Sequence, residues 1–154
     1  QITPVSIIVG EILGEEVPEA VKASLRGHSG NLSTFHAENI IETLDGLAMC
    51  LVEEGHSQQM NMDLALRRVS KAYDVIVNLF SPPTSGIKKV VHIAEPFYSN
   101  GEIQLNDLVV WEPDEEDYLK GKWIYPNPIS EKLVKKLHRN GISINELKER
   151  NLVW

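Results

Sequence analysis

The sequence predicts an α/β fold that continues into a C-terminal subdomain of antiparallel β-structure and helices. Three observations carry this expectation. The β-branched run Val5-Ser6-Ile7-Ile8-Val9 stops at Gly10, as a buried strand of a parallel sheet does. Two later stretches place apolar residues at the 3.6-residue spacing of amphipathic helices. Two further apolar runs, Val75 to Leu79 and Lys88 to Ala94, flank the turn Ser81-Pro82-Pro83-Thr84-Ser85-Gly86 and read as an antiparallel pair.

The elements follow in order. After Gly14, Val17, Ala20, Val21 and either Ser24 or Leu25 recur at helical spacing, and Glu15 and Glu16 stand where the helix dipole favours anions. Pro18 is tolerated only near that helix start. Residues 27–31 form a loop, and Leu32-Ser33-Thr34-Phe35 is a second short strand. Ile40, Ile41, Leu44, Leu47, Ala48, Leu51 and Val52 make the stripe of a long helix that ends at Gly55. Met62, Ala65, Leu66, Val69, Ala72 and Tyr73 repeat the pattern. Beyond the antiparallel pair, Ile103 to Val110 suggests one or two short strands, Glu112 to Asp117 an acidic exposed loop, and Trp123-Ile124-Tyr125 another strand. Ser130 to Arg139 is a basic amphipathic helix, and Ser143 with Glu146 is a capping-box signature for a last helix. The order β-α-β-α-α-β followed by antiparallel β divides the chain into residues 1–80 and 81–154.

Composition excludes several classes. Of 154 residues, 42% are hydrophobic and 24% charged, a globular balance that argues against disorder, collagen and coiled coil. The net charge of −7 disfavours a nucleic-acid partner, because neutralising phosphates needs a basic stripe. A single cysteine, Cys50, leaves no intramolecular disulfide and fits a reducing compartment. No apolar run approaches the roughly 18 residues of a membrane span, and the start lacks the basic segment of a signal peptide.

Three features carry chemistry. Glu11 follows Gly10 directly beyond an apolar strand, and ligands of open α/β sheets bind at the carboxyl ends of strands. A carboxylate there either orients a water or serves the cap of the next helix. The segment from Gly27 to Asn39 brackets a strand with His28 and His36, two glycines and several small polar side chains. Such histidines either hydrogen-bond a phosphate or are satisfied turn residues. They stand eight positions apart with no thiol nearby, so zinc is a poor fit and no metal site is expected. Arg67 and Arg68 lie on the second long helix near Lys71 and form either a phosphate contact or a solvated face.

Together these residues resemble the C-terminal half of a type II/IV secretion traffic ATPase, closest to the branch that powers Tad/Flp-type pili and the related archaeal motors. Ile7-Ile8-Val9-Gly10-Glu11 is similar to that family's Walker B box. Gly27-His28-Ser29-Gly30, with Leu32-Ser33-Thr34-Phe35-His36-Ala37-Glu38-Asn39, is similar to its histidine box. Ala72 to Val77 and Gly86 to Glu95 resemble its downstream strand pair. The resemblance implies a RecA-like P-loop NTPase core from the Walker B strand onward, with ATP and Mg2+ as nucleotide and ion. It implies a hexameric homo-oligomer, cytoplasmic and peripheral to the inner membrane, partnered by a secretion or pilus platform. Glu11 and His36 take catalytic roles in that picture, and Gly10, His28 and Arg67 nucleotide-binding ones. The sequence contains no G-x-x-x-x-G-K-[ST] loop. In the family that loop lies upstream of the Walker B strand, so the chain is expected to need an N-terminal half and to show no ATP turnover alone. Arginines usual before and after that strand are replaced, one of them by Leu13. The other reading is a degenerate, non-catalytic module that packs into a motor ring, and a third is a metal-dependent hydrolase built on Glu11, His28 and His36.

Overall fold

A computed structural model describes residues 6–26, 30–54, 60–83 and 86–153. It divides into two compact units, Gln1–Tyr73 with Pro96–Gln104, and Asp74–Glu95 with Leu105–Trp154. The structure is mixed helix and sheet, as the periodicities predict.

The first unit runs β1 (Ile8–Val9), α1 (Val17–Leu25), β2 (Leu32–Ser33), α2 (Ile40–Glu53) and α3 (Met62–Ala72). β1 and β2 are parallel, with Ile8 opposite Leu32 and Val9 opposite Ser33. α2 and α3 begin where capping residues stand. The Asn39 side chain accepts from Glu42 N and the Asn61 side chain from Leu64 N, each at 2.9 Å. Pro18 lies in the first turn of α1, where its missing N–H costs nothing. The three helices share one apolar core of Val17 and Val21, Leu44, Leu47, Ala48 and Leu51, and Ala65 and Val69, all buried. Removing a side chain such as Leu44 from such a core costs about 2–5 kcal/mol. Ser70 is the buried polar exception, and its hydroxyl donates to the Leu66 carbonyl at 2.7 Å.

The second unit contributes β3 (Ile76–Phe80), most of β4 (Lys89–Ser99) and β5 (Glu102–Pro113), β6 (Gly121–Ile124), α4 (Glu131–Arg139) and α5 (Ile144–Glu149). The strands form one sheet in the order β3-β4-β5-β6, an antiparallel meander. β4 and β5 are longer than the apolar runs suggested. β4 continues through Pro96 because its ladder with β3 ends at Ala94, so it is an edge strand there and can lack one N–H. Its turn into β5 is Asn100-Gly101, with φ of 55° and 87°, the left-handed pair that a tight hairpin requires.

Aromatic side chains fasten the far end of this sheet. Trp111 faces Trp123 across β5 and β6, with ring centroids 4.8 Å apart. The Lys89 ammonium lies 3.3 Å from the Trp111 ring centroid and donates to the Leu119 carbonyl. α4 is held by Glu95, which is buried and accepts from both the N–H and the hydroxyl of Ser130. Ser130 in turn caps α4 by accepting from Leu133 N at 3.2 Å. Lys136 on the same helix pairs with Asp74. The capping box opens α5, with Ser143 accepting from Glu146 N at 3.1 Å. Among the described residues, no helix is long and apolar enough to cross a membrane.

Candidate functional site at the ends of the parallel strands

The candidate site grows from the β1–β2 pair. Because the strands run parallel, their carboxyl ends lie side by side. Glu11 leaves one and His36 the other. Their side chains meet, with His36 Nε2 2.8 Å from Glu11 Oε1. The imidazole N–H donates and the carboxylate accepts, in the charged or the neutral form of the ring. The side chains are 89% and 44% exposed. An ion pair so open contributes little to folding, since solvent screens it. Both tips are therefore accessible to a water or a phosphate.

Several neighbours keep the two strand ends in register. Leu32 N donates to the Ile7 carbonyl at 3.0 Å, and Ile12 N to the Thr34 carbonyl at 2.9 Å, which extends the ladder past Glu11. The Asn31 side chain accepts from Ile7 N at 3.0 Å and donates to Ser24 Oγ at 3.1 Å. Phe35, next to His36, lies against α2 over Gly46, where an added Cβ would come within 3.1 Å of the Phe35 ring. Gly in mid-helix costs about 1 kcal/mol relative to Ala, so the space it leaves for Phe35 explains its place there.

The other residues singled out by the sequence fall differently. Gly10 ends β1 and offers its carbonyl to the Thr34 hydroxyl at 2.5 Å. His28 lies outside the described residues. Arg67 lies on α3 and is engaged there, 3.3 Å from Asp63 and over the Tyr98 ring at 5.4 Å. Tyr98 also donates its hydroxyl to Asp63, which pushes the phenol above its ordinary range. Arg68 lines an open cleft of about 680 Å3 with Lys22, Arg26, Leu51 and Glu54. Burial, aided by Glu53 and Glu54, pushes the Cys50 thiol up, which disfavours a nucleophilic thiolate. Among the described residues, no group of three or more His, Cys, Asp or Glu side chains is placed to hold a metal.

Asn31, Thr34 and the Phe35–Gly46 contact were visible in the sequence only as small or apolar residues around the histidines. Their roles come from strand register, which local pattern does not encode.

The model of the type II/IV secretion system protein family matches residues 2–81, just over half of the chain. The chain belongs to this family. The type IV secretion system protein VirB11 of Brucella suis is 24% identical over 95 residues, which cover 62% of this chain and 26% of that protein. VirB11 of Brucella abortus matches to the same extent. The family chain thus spans about a quarter of the length of the curated relatives it matches. The crystal structure of the Brucella suis VirB11 ATPase in complex with sulphate superposes with a TM-score of 0.53 at 21% identity, covering 58% of this chain and 27% of that one. That likeness is one of fold.

Proposed function

We propose that this chain is the C-terminal portion of a secretion or pilus-assembly motor ATPase in which Glu11 orients the attacking water and His36 senses the terminal phosphate. The single observation that carries the proposal is the 2.8 Å contact between the two side chains at the carboxyl ends of adjacent parallel strands. A carboxylate in that place accepts a water's proton or holds the water in line. An imidazole touching it couples the carboxylate to whatever anion the ring meets. Gly10, His28 and Arg67 are the further nucleotide contacts in this reading. Of these, Arg67 would have to leave Asp63 to reach a phosphate.

The fit to ATP and Mg2+ is partial. An exposed carboxylate at a strand end suits a water beside a metal-bound triphosphate, whereas the sequence holds no phosphate loop to cradle it. Mg2+, when bound, would neutralise charge on the phosphate oxygens. An upstream half supplies the loop in this proposal, and a hexameric ring at the cytoplasmic side of the inner membrane couples turnover to export or pilin assembly.

Joined to such a half, Glu11→Gln is expected to keep ATP binding and lose turnover, measured by phosphate release. Unchanged turnover would remove Glu11 from the mechanism. By itself the chain should release phosphate no faster than background.

One observation favours the second reading, a non-catalytic packing module. Ile8 and Leu32 face each other across the parallel pair at 72% and 63% exposure, and Leu13 is exposed further along the same chain segment. Parallel sheets are covered on both faces, so this surface suits packing against further protein. Ring assembly that survives Glu11→Gln and His36→Ala together, with no loss of export, would select the module over the motor.

A further inference from the structure

We propose that Thr34 is the positioning residue that aims Glu11 at His36. Thr34 brackets Glu11 from both sides. Its hydroxyl donates to the Gly10 carbonyl at 2.5 Å, immediately before Glu11. Its own carbonyl accepts from Ile12 N at 2.9 Å, immediately after it. One residue of β2's extension thus grips the peptide units on both sides of the carboxylate-bearing residue. The same residue stands two positions before His36, so the grip that orients Glu11 also sets its distance from the imidazole.

The need for such a grip follows from the strands themselves. β1 and β2 pair over only two residues each, and the Glu11 segment beyond them belongs to no strand. A backbone bond at Ile12 alone leaves the Gly10–Glu11 peptide free to rotate. The threonine hydroxyl removes that freedom. Valine has the same shape and β-branching but cannot donate, whereas serine keeps the hydroxyl. This pair of substitutions separates the hydrogen bond from the packing. Exposure of Thr34 and of the Glu11–His36 pair means that neither change disturbs a core.

The functional weight of this inference rests on the role proposed for Glu11, but the contact can be tested without nucleotide. In the chain as it is, nuclear Overhauser contacts between the Glu11 γ-protons and the His36 ring report the pair, and amide exchange at Ile12 and Leu32 reports the ladder. Thr34→Val is expected to abolish the Overhauser contacts and speed Ile12 exchange roughly fivefold, the factor an ordinary net hydrogen bond implies. Leu32 exchange stays as it was, and Thr34→Ser restores both signals. Thr34→Val that keeps the contacts and Ile12 protection overturns the proposal. So does one that loosens Leu32 equally, because the hydroxyl would then hold the strand pair as a whole. In a protein carrying the upstream half, the same valine change should lower kcat roughly tenfold with little effect on KM, as misplacement of a catalytic group does. If Glu11→Gln leaves turnover intact there, the motor reading falls while the solution result on Thr34 stands.

Discussion

The two sheets of this chain solve the pairing problem in opposite ways. β4 and β5 are joined by a two-residue turn, Asn100-Gly101, and pair over long strands whose partners are close in sequence. β1 and β2 are separated by α1, pair over two residues, and need side chains to hold them: Asn31 at the start and Thr34 at the end. The antiparallel sheet closes itself with Trp111, Trp123 and Lys89. The parallel pair leaves Ile8 and Leu32 exposed. The antiparallel sheet holds a His92–Asp107 pair, 2.7 Å apart, between β4 and β5 with the imidazole half-buried, whereas the short parallel pair carries the Glu11–His36 contact at open strand ends.

The comparison can be broken at several points. The largest effect is expected at Gly121, where φ is 143° and an added Cβ would stand 2.2 Å from the Glu112 carbonyl oxygen. Gly121→Ala should cost about 3 kcal/mol or more, from backbone strain and a clash with main chain that cannot move aside. Denaturant unfolding followed by tryptophan fluorescence measures it, and a loss below about 1 kcal/mol would show that the sheet end is not rigid.

Glu95→Ala comes next, because it strands the Ser130 N–H and hydroxyl and leaves the Asn106 amide with the Pro128 carbonyl alone. A cost of about 1–3 kcal/mol is expected, with faster amide exchange in α4. Unchanged exchange at Leu133 would mean that the Ser130 cap holds the helix without Glu95.

In the first unit, Tyr73→Phe should be neutral or stabilising near pH 7. The Tyr73 hydroxyl is buried with no partner in hydrogen-bonding geometry among the described residues. Burial pushes the phenol up, and Ser33 offsets this only in part. The sign follows from that direction. A raised folded pKa gives stability that is fully present below the unfolded value of about 10 and lost as pH rises through the folded one. Tyr73→Phe should therefore flatten the alkaline decline of the melting temperature, and an identical decline in both proteins would count against it.

The smallest effect is expected at the candidate site. Glu11→Gln should change stability by less than about 0.5 kcal/mol, because the pair it breaks is exposed. A larger loss in thermal unfolding would make Glu11 a structural residue and erase the contrast between the two sheets.

Much of the fold is legible in the sequence. The stripe from Ile40 to Val52 became α2, Met62 to Ala72 became α3, and the Ser143–Glu146 signature opened α5. Strand lengths were not legible. Apolar runs mark where a strand is buried, and β5 extends to Glu112 and Pro113, beyond its apolar part. Asn100-Gly101 carried a hairpin signal that a reading by periodicity alone passes over. At the site, Glu11 and His36 stood out as residue types at strand ends, and the four-residue spacing of Asp63 and Arg67 on a helix is itself a sequence signal for their pairing, whereas the contact of Arg67 with Tyr98, 31 positions away, is not.

The order of elements, the helix caps and the identity of the two polar residues beyond β1 and β2 were decided by sequence alone, because periodicity and capping are local properties of a few consecutive residues. That Glu11 and His36 touch was decided only in three dimensions. Their 2.8 Å contact depends on Ile8 pairing with Leu32 rather than with a neighbour. A slip of one residue would send each side chain to the opposite face, and what prevents it is a set of bonds between segments some two dozen residues apart.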